Sequence, residues 1–352
     1  MTTASQAVMT EARVMATMTT ASRYDIQGDS PEAVYSREVI HAMSRGRWIQ
    51  SLGFEPYFWQ WQVIESRSKR KAILGARQGG KSTIVAGIPC HTAKYTPGSL
   101  SLIFAPTENQ AIDDMGKVKV FAAHDKTFPS TLRNSELRME LDNGSVIQVV
   151  VASDVGARGK SHPRCIVIDE ASRVEDIVYQ SAIRPMLNSN PECEMILIST
   201  PFGKQGFFWR AMEAPESARI WTRYKVVAPF VPTDDGFDLV RINRVDHKYM
   251  TRKAKEERLT GGYYFSPRSG IYEEQLENLI EIGPELYRQE FCCQFVEPED
   301  MVFTYQQIDQ AFSSGRKVAG LADSAKMIDT VAEDGGSGIG EELDRRLQDA
   351  GL

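Results

Sequence analysis

Four stretches of the chain are apolar from end to end rather than alternating: residues 72–74, 102–105 (after Ser101), 165–168 and 195–198. Short unbroken runs of this kind, closed by glycine, proline or polar residues, read as strands buried on both faces, the ordinary state of a parallel strand covered by helices. Helical signals separate them. Residues 83–88 form an apolar helical segment directly after the first run, and a helix restarts after Pro106 with Thr107 as its cap. Asn143-Gly144 between residues 137–143 and 146–152 predicts a hairpin. Upstream, Asp29-Ser30-Pro31-Glu32 opens a helix with Ser30 as N-cap and Pro31 in its first position. That helix is expected to reach about Ser44 and to bury Val34, Val39, Ile40 and Met43. Downstream, residues 219–231 read as a strand and a proline-containing loop, 247–259 as a charged helix, and 283–296 as an aromatic helix running into a strand. The pattern weakens after Phe312; 333–340 is loop-like and 340–352 has room for one short helix. The order predicts an α/β fold with a mainly parallel central sheet flanked by helices.

The ends of the strands change that picture from a fold into a chemistry. The first run leads into Gly75-Ala76-Arg77-Gln78-Gly79-Gly80-Lys81-Ser82-Thr83, which matches GxxxxGK[ST] between a strand and a helix. Glycines let backbone N–H groups turn inward around phosphate oxygens, and the following helix adds its positive end. In this pattern Lys81 reaches the β- and γ-phosphates of ATP and the Ser82 hydroxyl sits on Mg²⁺. The third run ends in Asp169-Glu170, which suits Asp169 to the Mg²⁺ shell and Glu170 to deprotonating an attacking water. The fourth ends in Ser199-Thr200, where a γ-phosphate sensor would stand. The two signals together define a P-loop NTPase. The aromatic stretch 54–64 precedes the phosphate loop by about twenty residues. Gln62 is the first choice there for reading the adenine edge and Gln60 the second, against a plain core-packing aromatic cluster.

Composition narrows the rest. The net charge of −6 argues against a chain that coats nucleic acid non-specifically, but leaves room for a local basic groove. Lys69, Arg70, Lys117 and Lys119 are its basic candidates. Five cysteines without a CxxC spacing read as reduced thiols in a cytosolic protein. No apolar run approaches the roughly eighteen residues of a membrane span, and residues 1–22 lack the plan of a signal peptide.

The series resembles the ATPase half of the large terminase subunit of tailed bacteriophages. The matching pieces are Trp61-Gln62, residues 77–83, Ala105-Pro106-Thr107 with Gln110-Ala111, Arg158-Gly159, residues 166–171, Ile198-Ser199-Thr200-Pro201, Arg288-Gln289-Glu290-Phe291 and Val302-Phe303. The Arg-Gln inside the phosphate loop is typical of that family and separates it from a generic helicase. The resemblance implies that Arg77 senses or stabilises the γ-phosphate, that Ser199 and Thr200 couple hydrolysis to movement, and that Arg158 is a candidate finger for a neighbouring subunit's nucleotide, with Arg77 competing for that role within the subunit. It implies a tail over 1–28, an ATPase core over 29–218, a small lid subdomain over 219–312 and a short tail over 313–352. Implied partners are double-stranded DNA, a portal protein, a small terminase subunit and further copies in a ring on the procapsid, in the host cytoplasm. The family continues into an RNase H-like nuclease; after Phe312 this sequence offers only Lys317–Leu321 as a first strand, with Asp323 and Asp329 nearby, so DNA cleavage by this chain is not expected. Two competing readings are a helicase-like remodelling ATPase, which would need a second motor domain, and a non-catalytic portal- or DNA-binding remnant, against which Lys81, Asp169 and Glu170 all stand intact.

Overall fold

The computed structural model describes Gly28 and residues 30–153, 162–242 and 247–296, all within one compact unit, Met1–Val296. Expectations for the two tails, for Arg158 and for Val302-Phe303 lie outside the described residues. Three helices come first: α1 (Pro31–Met43), α2 (Arg45–Ser51) and α3 (Phe58–Glu65). Then β1 (Arg70–Gly75), α4 (Ser82–Tyr95), β2 (Leu100–Ala105) and α5 (Glu108–His124) alternate, followed by β3 (Thr131–Asn134), β4 (Arg138–Leu141), β5 (Val146–Val151) and β6 (Cys165–Asp169). Short helical turns between 171 and 189 lead to β7 (Glu194–Ser199), α6 (Gly206–Glu213) and β8 (Thr222–Val227). The described chain ends with β9 (Phe230–Pro232), β10 (Leu239–Arg241), α7 (His247–Glu256), β11 (Gly262–Phe265) and α8 (Tyr272–Glu290).

The four apolar runs are β1, β2, β6 and β7, and they lie side by side. Sheet order is β11-β8-β1-β7-β6-β2-β5-β4-β3, with parallel pairing from β11 through to β5 and antiparallel pairing only at β4 and β3. Successive strand residues point to opposite faces, so each run feeds two cores. Ile73 of β1 and Val167 of β6 enter one cluster with α4 and α5, while Ala72, Leu74, Ile166 and Ile168 enter the other with α6. This is why the runs do not alternate: both faces are covered. The hairpin forms around Asn143-Gly144, with Gly144 in the left-handed region at φ +80°.

Three expectations are corrected. Helix α1 begins at Pro31 with Ser30 capping Ala33 N–H at 3.2 Å, but it buries none of its residues; Tyr35, Val39 and Met43 form an outward stripe. Its polar side docks it instead: Glu38 meets Lys94 Nζ at 2.9 Å and the Tyr95 hydroxyl at 2.9 Å. Residues 291–296 form no strand; Gly283, at φ +77°, breaks α8 and Pro284 restarts it. The division at 218 cuts through the central sheet, because β8 and β11 extend it beyond β1. The part of that segment with a core of its own is smaller. It consists of the β9–β10 pair packed on α8 through Phe230, Leu239, Leu279 and Tyr287.

Candidate phosphate-binding and carboxylate site

Every strand from β11 to β5 runs in one direction, so the C-terminal ends of β1, β6 and β7 converge on one edge, where ligands of open α/β sheets bind. The loop after β1 is tied down at each step. Ala76 N–H donates to the Val226 carbonyl at 2.8 Å, Arg77 N–H to the Glu290 carbonyl at 2.8 Å, and Gly79 N–H to the Ala76 carbonyl at 3.1 Å. Gln78 and Gly80 both adopt positive φ, at +56° and +89°. A Cβ on Gly80 would stand 2.9 Å from Gln60 Nε2, and one on Gly79 2.9 Å from the Ala76 carbonyl oxygen, so both positions demand glycine. Gly75 packs under the Lys81 stem, and α4 starts at Ser82, with Thr83 half-buried one residue on. The Ser82 side chain lies outside the described residues.

Lys81 Nζ lies 3.4 Å from Glu170 Oε1. Glu170 follows β6 in the left-handed region, φ 45° and ψ 47°, an arrangement that costs a non-glycine residue about 1–3 kcal/mol and persists only where surroundings impose it. The surroundings are the end of β7. Ser199 Oγ donates to Glu170 Oε2 at 3.0 Å, the Thr200 N–H reaches the same oxygen at 3.4 Å, and Ser172 Oγ bonds Ser199 Oγ at 2.7 Å. Asp169, 4% exposed, accepts Gln110 Nε2 on Oδ2 at 3.1 Å, whereas its Oδ1 is buried with no hydrogen-bond partner. Burial, then the neighbouring charges of Asp114 and Glu170, push its pKa up to about 7.

These observations fit a divalent cation. A buried carboxylate with one unsatisfied oxygen and a raised pKa lacks a positive partner. Among the described residues no group of three or more ligating side chains surrounds it, so phosphate oxygens and water would complete the shell, as Mg²⁺ prefers.

The structure thus gathers Gly75, Gly79, Gly80, Lys81, Asp169, Glu170, Ser199 and Thr200. It does not bring Arg77 to the same centre: its side chain is 67% exposed, 3.9 Å from Glu290 Oε2. Gln62 is not on the loop either, and its Nε2 is buried without a partner. Gln60 holds the place instead, donating to the Gly80 carbonyl at 2.6 Å while its Oε1 accepts the Tyr57 N–H at 2.6 Å. Sequence reasoning gave no role to Asp114 or Ser172 and quoted Gln110 only within a matching piece; the contacts of all three come from the fold. The basic candidates are engaged internally. Lys117 pairs with Asp114 at 2.7 Å, Lys119 with the Ser135 carbonyl at 2.9 Å, Lys69 with Glu192 at 2.5 Å and Arg70 with the Cys193 carbonyl at 2.6 Å. A cavity of about 440 Å³ lined by Arg45, His91 and Glu194 holds none of the phosphate-loop residues. Among the described residues no helix is long and apolar enough to cross a membrane.

The fold is a mainly parallel α/β sheet, and at this edge a glycine-rich loop and Lys81 stand beside Asp169 and Glu170. Two curated relatives, the terminase large subunits of Thermus phage G20c and Thermus virus P23-45, are each 29% identical over 182 residues, 46% of this chain and 37% of theirs. The large terminase ATPase domain of Thermus phage P74-26 superposes with a TM-score of 0.52 at 21% identity, covering 70% of this chain and 97% of that structure. No family model matches. The chain is therefore related to phage terminase large subunits and carries the fold of their ATPase domain, while spanning little more than a third of its curated relatives' length.

Proposed function

We propose that the chain is the ATP-hydrolysing motor portion of a terminase large subunit, moving double-stranded DNA into a viral procapsid. The observation that carries this reading is the meeting of Lys81, Asp169 and Glu170 at the ends of β1 and β6. Amides of the phosphate loop and the N-terminus of α4 bind the phosphates, and Ser82 with Asp169 would hold Mg²⁺. That ion, when bound, neutralises charge on the β- and γ-phosphates. Lys81 leaves Glu170 for the phosphates when nucleotide enters, which frees Glu170 Oε1. Glu170 then takes the proton of the water attacking the γ-phosphorus, and the bond to the bridging oxygen breaks to release ADP. Ser199 and Thr200 hold the base in position and carry the change at the γ-phosphate to β7. Arg77 reaches the γ-phosphate from its exposed resting place, Arg158 serves a neighbouring copy's nucleotide, and Gln60 takes over from Gln62 beside the base.

The partners of this reading are double-stranded DNA, a portal protein, a small terminase subunit and further copies in a ring, in the host cytoplasm. The test is ATP hydrolysis with and without double-stranded DNA, beside Lys81→Ala. Hydrolysis that DNA stimulates and that Lys81→Ala abolishes without lowering the melting temperature is expected. Undiminished turnover in that variant would place the active site elsewhere.

A further inference from the structure

Helix α5 presents Gln110, Asp114 and Lys117 in successive turns toward the end of β6. Thr107 caps the helix at Gln110 N–H, 3.3 Å, and so fixes the turn from which the Gln110 side chain departs. From there Nε2 donates to Asp169 Oδ2 at 3.1 Å. One helical turn further, Asp114 is fully buried; its Oδ1 takes Lys117 Nζ at 2.7 Å, and its Oδ2 has no hydrogen-bond partner.

The consequence concerns which oxygen of Asp169 is left available. A carboxylate on a buried strand end can rotate about its last bond, and a terminal torsion of this kind is broad. One donor on one oxygen removes that freedom. With Oδ2 engaged by Gln110, Oδ1 is the free ligand, and it is the buried atom for which the protein supplies no donor. Lys117, on the same helix, is paired with Asp114 Oδ1 at 2.7 Å rather than with that oxygen.

We propose that Gln110 is a positioning residue for the divalent cation: it orients Asp169 so that Oδ1 alone faces the ion, without touching ion or nucleotide. This deepens the function proposed above and rests on it. Partners that orient a ligating side chain in this way are worth about 10–100-fold in metal affinity. Gln110 is half-buried in a helix, so Gln110→Leu retains helix propensity and shape while deleting the donor, and Gln110→Glu is nearly isosteric but presents an acceptor in the donor's place.

The test is binding of a fluorescent ATP analogue, first in EDTA and then in a titration with Mg²⁺ and separately with Mn²⁺. In both variants the affinity in EDTA is expected to stay within about twofold of the parent, while the cation concentration for half-maximal enhancement rises about tenfold or more. Lys81→Ala is run alongside. It is expected to weaken binding in EDTA and in Mg²⁺ alike, and a parent that fails to bind the analogue would sink the phosphate-loop reading rather than the role of Gln110. A parental cation requirement in either folded variant overturns the positioning role. So does a loss of the same size in EDTA, since it would mark a general structural defect. Should Gln110→Leu fail to melt cooperatively, Gln110→Glu decides by the same two criteria.

Discussion

At the scale of single residues, the site is organised by what each side chain lacks. Asp169 lacks a positive partner on Oδ1, Lys81 has a carboxylate where phosphates are expected, and Glu170 is held in a backbone conformation that only its neighbours explain. The strain at Glu170 is the most informative of these. A left-handed glutamate after a buried strand turns its side chain toward β7, where Ser199 and Thr200 take one oxygen and leave the other for Lys81. Glu170→Gln keeps the shape and the hydrogen bonds from Ser199 and Thr200, but it gives up the Lys81 contact and cannot accept a proton. The expected result is nucleotide binding close to the parent with turnover lower by about 10²–10⁴-fold, measured as equilibrium binding and steady-state phosphate release on the same preparation. Parental turnover would move the general base elsewhere. Failure to bind nucleotide would make Glu170 a structural residue, the support of the left-handed turn itself.

At the scale of elements, the sheet and the glycine-rich loop after β1 were legible in the sequence because both depend on local signals. Unbroken apolar runs mark strands covered on both faces, and glycine, lysine and serine at fixed offsets mark a loop whose backbone must curl inward. What was not legible depends on which helix face meets which neighbour. The apolar stripe of α1 suggested burial, yet ion pairs and hydrogen bonds from Glu38 decided its docking. Gln60 and Gln62 are two positions apart on α3, and only the fold shows that Gln60 reaches Gly80. The same holds for a charge network behind the sheet: Arg45 on α2, Lys71 on β1 and Glu194 on β7 have no sequence motif in common. Arg45 forks onto Glu194 at 2.7 and 3.0 Å, and the fully buried Lys71 bonds the same carboxylate. Burial alone would raise the Glu194 carboxyl, but Lys71 and Arg45 outweigh it and hold the pKa at about 2. Nearby, burial and then the charge of Arg45 lower His91 to about 3. The two groups act in overlapping pH windows with different upper limits. His91 stays neutral in the folded chain while the unfolded chain binds a proton below 6.5, so stability falls as pH drops from 6.5 toward 3. Glu194 has a depressed folded value, so its contribution is full above the unfolded value of 4.5 and is lost as pH falls toward 2. Urea unfolding at several pH values should therefore show loss beginning near pH 6.5 and steepening below 4.5. His91→Leu should flatten the slope from pH 6.5 toward 3, most visibly above 4.5 where Glu194 makes no difference; His41, also held low by burial, keeps that slope from vanishing. Glu194→Gln should cost about 3–5 kcal/mol at neutral pH, since it strands Lys71 and Arg45 without their partner. A parental slope above pH 5 in His91→Leu would assign it to other groups.

At the scale of the whole molecule, the phosphate loop belongs to two parts of the chain at once. Its residues come from the segment before 218, but three of its restraints come from beyond it. The Val226 carbonyl on β8 receives the Ala76 amide, and the Glu290 carbonyl at the end of α8 receives the Arg77 amide. Arg268 Nε donates to the Tyr57 hydroxyl at 3.1 Å, and the Tyr57 ring would meet a Cβ on Gly80 at 3.3 Å. Phosphate binding requires loop amides to turn toward the ligand, so a nucleotide that reshapes residues 76–80 must act on the backbone at 226 and 290 as well. Beyond Glu290, Phe291 and Cys292 pack with Phe230 and Leu239 in the small cluster that includes the β9–β10 pair. A chain of contacts, a candidate route for movement, therefore runs from the loop through the end of α8 into the only part of the described segment 219–296 with a core of its own. Whether that route carries anything is a question of amide exchange. With Mg²⁺ and a slowly hydrolysed ATP analogue, exchange should slow at residues 75–83, where ligand shields the loop, and also at 287–293, which the ligand does not touch. Replacing Glu290 with Ala removes its side chain but keeps the carbonyl, so the second protected region should persist in that variant. Protection confined to 75–83 would mean that the hydrogen bonds to Val226 and Glu290 are static scaffolding.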